Sequence, residues 1–519
     1  MNRNLKGYYL PPSLEYLEDK LEFRELSADG FNITVPKISK DIVIEIVSTI
    51  RNSRDKYIAN ISIEEIAEIY DRVSRKWKNN DYEKKKVALD VLPKLTNLSK
   101  EIIEYYQFRT IYKINKETIL FLSHFVPPKE VFKKFIKIEK SKSMLRAFGS
   151  LFSQLKLAKA LKSKKEIKLI TYITPSNVPG LIECLGMFLS SIVKASSVIK
   201  SPSMQPVFAP LFAESILEES KEIGETIAVI PWKGGTIEIE DILFINSEAV
   251  SVVSSTETAL SVKRRIDDLN KKGCNIKGCY HGGKFGLEII GREYCNRDVA
   301  GLAVIDGFGY EGYMCSSPVF GFFVEKGGKY SPEDFAKFMV KEAELLEKVI
   351  PQSEYFKKLR EKQVARLIAK EGMDKDVKIY TSPEHDFAVV YEPRPTLNPI
   401  GQNRLFRVMP LSSVEDIFPM LKPWKDYLQS IGVALLDSRL LQFAEKAGKI
   451  GFTNIRVTGT LTLPRLGESW DGNLPVAEFY IPDIVRWVSI NTISIDEEIK
   501  YLIDEKNKLI NKGVWSLEG

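Results

Sequence analysis

The sequence predicts an α/β protein: a parallel sheet wound with crossover helices, a second α/β lobe behind it and a helical region in front. Three observations predict this. Between residues 167 and 270, short apolar runs alternate with helix-length amphipathic stretches. After about residue 279, a second set of strand-like runs and helices follows. Before residue 110 the chain is charged, with apolar residues at helical spacing. Alternation of strands and helices implies parallel pairing, because parallel neighbours need a long crossover and a helix usually supplies it. A chain of 519 residues has room for roughly two to four domains.

Each element follows from its local pattern. Ile63, Ile66, Ala67, Tyr70, Val73 and Trp77 recur at helical spacing, so 63–77 is expected as a helix. Ser62 is its expected N-cap, with Glu65 placed to complete a capping box. Residues 128–168 carry 13 Lys/Arg against 3 Asp/Glu. That bias fits a solvated face of amphipathic helices, or a docking surface for an acidic partner. Lys168 to Ile173 reads as a buried strand, 174–180 as a turn, and a helix starts at Leu181. Residues 197–200 read as a strand, 201–205 as a turn and 206–219 as a helix. Three more strands are expected at 226–231, 242–245 and 249–254, then a helix at 257–270. In the second lobe, 299–305 and 319–325 read as strands and 331–350 as a helix. Residues 461–483 are irregular, and the chain ends in a charged helix.

Composition removes several function classes. At 44% hydrophobic and 28% charged, the chain is globular in composition. A net charge of +6 over this length makes no case for nucleic acid. Five cysteines are an odd count and argue against a disulfide framework, hence for a reducing compartment. Cys274, Cys279 and His281 lack a second ligand pair, so no metal site is expected. The N-terminus shows no signal pattern. The apolar stretch 178–199 contains Glu183 and Lys194, so it reads as a buried helix and no membrane span is expected. A cytoplasmic location follows as the expectation.

Ligands of wound parallel sheets bind beyond the carboxyl ends of the strands, which directs attention to the turns. Cys315 sits in Met314-Cys315-Ser316-Ser317-Pro318, after a loop containing Gly307, Gly309 and Gly312. A thiol on a loop between strands is approachable, and the amide there can stabilise an oxyanion; taken alone, a buried structural thiol is the commoner case. Asn177 lies between Pro175 and Pro179, and that rigidity suits an amide aimed at developing negative charge. An ordinary Asn turn is the bland alternative. Lys200 and Ser203, at the end of the next strand, offer a cation and a hydroxyl to a nucleotide; a surface turn is the alternative. Ser255 opens a helix after a strand, where pyrophosphate can bind or where a plain N-cap suffices. Gly282 and Gly283 form a glycine turn that by itself says little.

In this order, these segments resemble the aldehyde dehydrogenase superfamily. Pro175-Ser176-Asn177-Val178-Pro179 resembles its oxyanion turn, Lys200-Ser201-Pro202-Ser203 its ribose turn, Val253 to Glu257 its phosphate segment, His281-Gly282-Gly283-Lys284 its glycine turn and Met314-Cys315 its nucleophile. Within the superfamily, Asn177 to Gly180, Gly282 to Gly286, Cys315 to Pro318, Trp470-Asp471-Gly472 and Arg486-Trp487-Val488 are most similar to the long-chain acyl-CoA reductases of bacterial bioluminescence. The resemblance implies Cys315 and Asn177 as catalytic residues. It implies Lys200, Ser203, Ser255, Gly282 and Gly283 around NADPH, with NADH as the other cofactor. It also implies a homo-oligomer, an acyl-CoA substrate and acyl-supplying protein partners. The expected division is a helical region over 1–110, an NADP(H)-binding domain over 111–278, a thiol domain over 279–460 and a C-terminal segment over 461–519. Tyr280 stands where hydrolytic members have the glutamate that activates water, and its loss favours reduction of the acyl-enzyme over hydrolysis. Arg404-Leu405-Phe406 stands near a second glutamate of the family, and no role is assigned to Arg404. A CoA-independent aldehyde dehydrogenase and a non-catalytic acyl-binding scaffold remain the alternatives.

Overall fold

The structure is a computed structural model that describes residues 3–124, 166–371, 376–381, 385–479, 489–492 and 494–512. The basic segment up to residue 165 and Arg486-Trp487-Val488 lie outside the described residues.

The N-terminal part opens with strands β1 (Arg3–Lys6), β2 (Glu22–Ala28) and β3 (Phe31–Lys37), in the order β1-β3-β2. Helices α1 (Lys40–Lys56), α2 (Ile63–Lys78) and α3 (Glu83–Thr96) follow. The small sheet was not read from the sequence: β2 is exposed or half-buried along its whole length, so it shows no apolar face. In α2, Ser62 accepts the N–H of Glu65 as the expected N-cap, without the returning Glu65 bond of the expected capping box, and Ile66, Ala67, Tyr70, Val73 and Trp77 are buried.

A five-stranded, fully parallel sheet comes next: β4 (Leu169–Ile173), β5 (Ser196–Lys200), β6 (Ile227–Ile230), β7 (Ala249–Val253) and β8 (Lys277–His281). Its order is β6-β5-β4-β7-β8. Helices cover both faces, so the central strands are near-continuous apolar runs; β4 is buried at every position. The chain winds outward from β4 through β5 to β6, then returns to place β7 on the other side of β4. The crevice between the ends of β4 and β7 is therefore the switch point at which such sheets bind ligands. Helices α4 (Leu181–Ile192), α5 (Phe208–Glu219), α6 (Ile237–Ile245) and α7 (Thr256–Lys271) connect the strands.

The second lobe is an eight-stranded sheet: β9 (Phe285–Ile290), β10 (Phe322–Glu325), β11 (Lys378–Thr381), β12 (Ala388–Tyr391), β13 (Leu405–Leu411), β14 (Leu428–Ala434), β15 (Asn454–Val457) and β16 (Ser489–Ile490). Its order is β11-β12-β13-β10-β9-β14-β15-β16, and β11 alone pairs antiparallel. Helices α8 (Arg297–Phe308) and α9 (Pro332–Leu346) pack together, and α10 (Ile495–Lys512) is the last helix among the described residues.

Two expected strands are helices. Residues 242–245 belong to α6, where Ile239, Glu240, Leu243 and Phe244 form its buried face. A four-residue apolar run fits either element, and burial at i, i+1, i+4 and i+5 decides for the helix. Residues 299–305 belong to α8, capped by Asn296, whose side chain accepts the N–H of Val299. This helix is buried on every side from Val299 onward, so it lacks the polar stripe that identifies a helix in sequence. Cys315 consequently follows a helix rather than a strand. All five cysteines are free thiols. Among the described residues, no helix is long and apolar enough to cross a membrane.

Candidate active site

The turns after β4, β7 and β8, the loop before β10 and the segment after β15 enclose a cavity of about 470 Å³. Cys315, Asn177, Ser255, Gly282 and Gly283 all line it. Lys200 and Ser203 sit at the end of the neighbouring strand β5, outside its walls.

Cys315 is half-buried. The chain reaches it through Tyr310 (φ 49°), Glu311 (φ 55°) and Gly312 (φ 82°). Two non-glycine residues in left-handed conformation cost about 1–3 kcal/mol each, so the surroundings must hold the turn. The Glu311 carboxylate does so from inside, paired at 2.9 Å with Arg404, both side chains fully buried. The Arg404 guanidinium also lies 4.0 Å from the centre of the Phe308 ring. On the far side of the loop, Gly286 of β9 donates to the Ser317 carbonyl at 3.1 Å. A Cβ at position 286 would lie 2.3 Å from the Ser316 oxygen, so only glycine permits this approach. Burial, and then the Asp471 carboxylate, push the Cys315 thiol up to about 11, against the pull of Arg456 and the local amides.

Asn177 lies in the turn after β4, and its Nδ2 donates to the Tyr313 carbonyl at 2.6 Å. The oxyanion candidate is thus tied to the nucleophile loop two residues before the cysteine. The turn ends at Gly180 (φ 87°), where a Cβ would fall 2.1 Å from the Phe208 ring. Thr174 Oγ1 donates to the Lys200 carbonyl at 2.6 Å, joining this turn to the one after β5. There the Lys200 ammonium stands 5.6 Å over the Trp232 ring. Burial lowers its pKa, with Glu240 opposing. Ser203 is exposed.

Ser255 caps α7 by accepting the N–H of Thr258. Thr256 Oγ1 accepts the N–H of Gly283 at 3.1 Å, which docks the glycine turn on the start of that helix. Alternation along β8 sends Tyr280 to the opposite face: its hydroxyl folds back over Gly278, and the Lys263 ammonium lies 5.6 Å from its ring. His281 lines the cavity instead. Its Nδ1 meets Asp471 at 2.8 Å and its Nε2 meets Glu478 at 3.2 Å. Burial opposes the charged ring, but the Glu478 and Asp471 carboxylates outweigh it, and the His281 pKa is raised to about 10.

The remaining walls were not assigned from the sequence. The apolar part of the lining includes Val178, Leu181, Leu185, Phe188, Leu189 and Leu466. Beside it, Arg456 of β15 holds Glu468 through Nε at 2.7 Å and the terminal nitrogen at 2.6 Å. Neither residue lies in a spacing motif, so no local signal marks the pair. Asp471 belongs to a segment that carried the resemblance, but its contact with His281 exists only in the folded chain.

The fold is that of the aldehyde dehydrogenases. The structure is similar to aldehyde dehydrogenase 21 from Physcomitrella patens in complex with its reaction product succinate (12% identity, 93% of each chain, TM-score 0.62). It is also similar to methylmalonate-semialdehyde dehydrogenase from Oceanimonas doudoroffii (14% identity, 88% of this chain and 93% of that one, TM-score 0.62). A third similar structure is a salicylaldehyde dehydrogenase from Pseudomonas putida complexed with salicylaldehyde (12% identity, 96% of each chain, TM-score 0.61). The chain belongs to the acyl-CoA reductase (LuxC) family, whose model matches residues 58–481. Comparison with curated proteins gives no match.

Proposed function

We propose that this chain takes an acyl group from acyl-CoA onto Cys315 as a thioester and releases it as an aldehyde, with NADPH as reductant. The observation that carries this reading is one cavity lined by a thiol, a side-chain amide and a group of apolar side chains. The apolar side chains suit the hydrocarbon of an acyl group, and the family resemblance points to a long chain. The Cys315 thiolate attacks the thioester carbonyl, and the carbon–sulfur bond to CoA breaks as CoA leaves. The Asn177 amide and the Cys315 N–H stabilise the oxyanion of that step. Tyr280 offers no base at the position where hydrolytic relatives activate water.

The start of α7, with Ser254, Ser255 and the glycine turn on the cavity wall, fits a pyrophosphate, because unpaired helix amides and hydroxyls converge there. Lys200 and Ser203 would hold the ribose, and a cation with a hydroxyl suits a 2′-phosphate. A nicotinamide cofactor bound there would supply hydride to the carbonyl carbon. NADH is the other reductant to compare. Family resemblance extends the proposal to a cytoplasmic homo-oligomer served by acyl-supplying proteins.

The test is direct. Purified protein incubated with long-chain acyl-CoA should oxidise NADPH and release CoA. Cys315→Ala should abolish both the trapped acyl-enzyme and the absorbance change. Wild-type protein that neither oxidises NADPH nor traps an acyl group at any chain length would overturn the reading.

A further inference from the structure

Deprotonation of Cys315 needs an acceptor. The thiol lies in a cavity with Asp471 nearby, and its pKa lies well above neutrality. At neutral pH only a small fraction would be thiolate without help. The position that carries a base in hydrolytic relatives is Tyr280, on the other face of β8.

The other titratable groups around the cavity can be taken in turn. His281 has both ring nitrogens engaged, by Asp471 and Glu478. Asp471 has both oxygens engaged, by His281 and by Gln429 at 2.7 Å. Lys284 donates to the Asp426 carbonyl at 2.9 Å. Arg465 pairs with Glu498 at 2.9 Å. Arg456 is a permanent cation.

Glu468 and Glu478 each keep one buried carboxylate oxygen without a hydrogen-bond partner among the described residues, and of the two Glu468 is the one on the cavity wall. It is 7% exposed and lines the same cavity as Cys315. Arg456 holds its Oε2, while its Oε1 is buried without a hydrogen-bond partner among the described residues. A buried carboxylate oxygen left unpaired is costly. The residue lines the cavity that holds the Cys315 thiol, whose proton must be moved, and also the neighbouring cavity beside Arg109 and Lys113.

We propose that Glu468 is the base of this site: its Oε1 takes the Cys315 proton, directly or through one water, and returns it to the sulfur of departing CoA. The exchange balances. The S–H bond of Cys315 breaks and an O–H bond forms on Glu468. The sulfur then bonds to the acyl carbon, the carbon–CoA bond breaks with its electron pair on the CoA sulfur, and the proton passes from Glu468 to that sulfur. No oxidant or reductant is involved. Arg456 is the positioning residue: it fixes one oxygen of the carboxylate and aims the other, and its charge supports the thiolate. The CoA-directed half of this proposal rests on the acyl-CoA reading above; the thiol-directed half does not.

The experiment is alkylation of Cys315 by iodoacetamide across pH, in wild type, Glu468→Gln and Glu468→Asp. General-base assistance contributes about 10²–10⁴-fold, so Glu468→Gln should alkylate about 10²-fold more slowly at pH 7. Its rate should recover as pH rises toward the thiol's own pKa, and Glu468→Asp should recover part of the neutral rate. A carboxylate acting only through its charge gives the opposite sign, since its removal eases thiolate formation and speeds alkylation. Unchanged or faster alkylation in Glu468→Gln, with a wild-type melting temperature, would overturn the proposal. So would a variant that loses only release of free acid from a preformed acyl-enzyme, because the base would then serve water. If Glu468→Gln unfolds, the Glu468→Asp profile decides. Because iodoacetamide replaces the acyl donor, a wild type that alkylates as expected but never reduces acyl-CoA would sink the reaction and leave the base standing.

Discussion

Asn177 donates to the carbonyl of Tyr313, 136 residues further along the chain. That bond holds the amide beside the nucleophile loop, from which it can turn to a substrate oxygen. An oxyanion donor is worth about 10²–10³-fold in rate when removed. Asn177→Ala should therefore slow acylation of Cys315 by about 10²-fold, with little change in the acyl-CoA concentration needed for half-saturation. Rapid-quench measurement of the acyl-enzyme checks this, and an unchanged rate would remove Asn177 from the reaction. The prolines beside it are informative in sequence because they restrict the backbone wherever they occur. Glu468 is not, because a glutamate in an irregular segment is usually solvated; only its burial against Arg456 marks it.

At the scale of elements, the nucleophile loop is held between two supports. Gly286 lets β9 lie against the Ser316 and Ser317 carbonyls. The Arg404–Glu311 pair holds the left-handed turn from below. Glu311 also accepts from Gln352, and burial raises its pKa, with Arg404 opposing. Removing one partner of a buried pair strands the other, at about 3–5 kcal/mol. Arg404→Met should destabilise the protein by that amount in denaturant unfolding. Adding Glu311→Gln should recover part of the loss. A cost below about 1 kcal/mol, the value of a surface pair, would show that the pair does not support the turn. Arg404 had no role in the sequence reading, and the structure gives it this one.

Across the whole molecule, His281 joins three parts of the chain. It stands at the end of β8 in the five-stranded sheet and contacts Asp471 and Glu478 of the C-terminal segment. Through Asp471 and Gln429 the contact reaches β14 of the other sheet. The groups facing the ring are Asp471, Glu478 and, through Asp471, Lys284. The folded-state pKa, about 10, lies above the ordinary histidine value near 6.5. The clasp therefore contributes its full stability below the ordinary value and loses it as pH rises through the folded one. The melting-temperature gap between wild type and His281→Gln should be widest at about pH 6 and below, shrink through neutral pH and close by about pH 10.5. A gap that stays constant across that range would mean that His281 carries no charge in the fold.

The sequence by itself determined the parallel architecture and the turns that bear Asn177, Ser255, Gly282, Gly283 and Cys315. Strand–helix alternation, proline-restricted turns and helix caps are local, so they survive as pattern. The same local logic failed at 242–245 and 299–305, where helices buried on most sides have no polar stripe to show their period. Only the tertiary structure decided which turns share a cavity, that Tyr280 faces away from it and that His281, Arg456 and Glu468 form its charged wall. Those facts depend on how two sheets and a C-terminal segment pack together. No spacing along one chain encodes the distance between groups that meet only when the chain is folded.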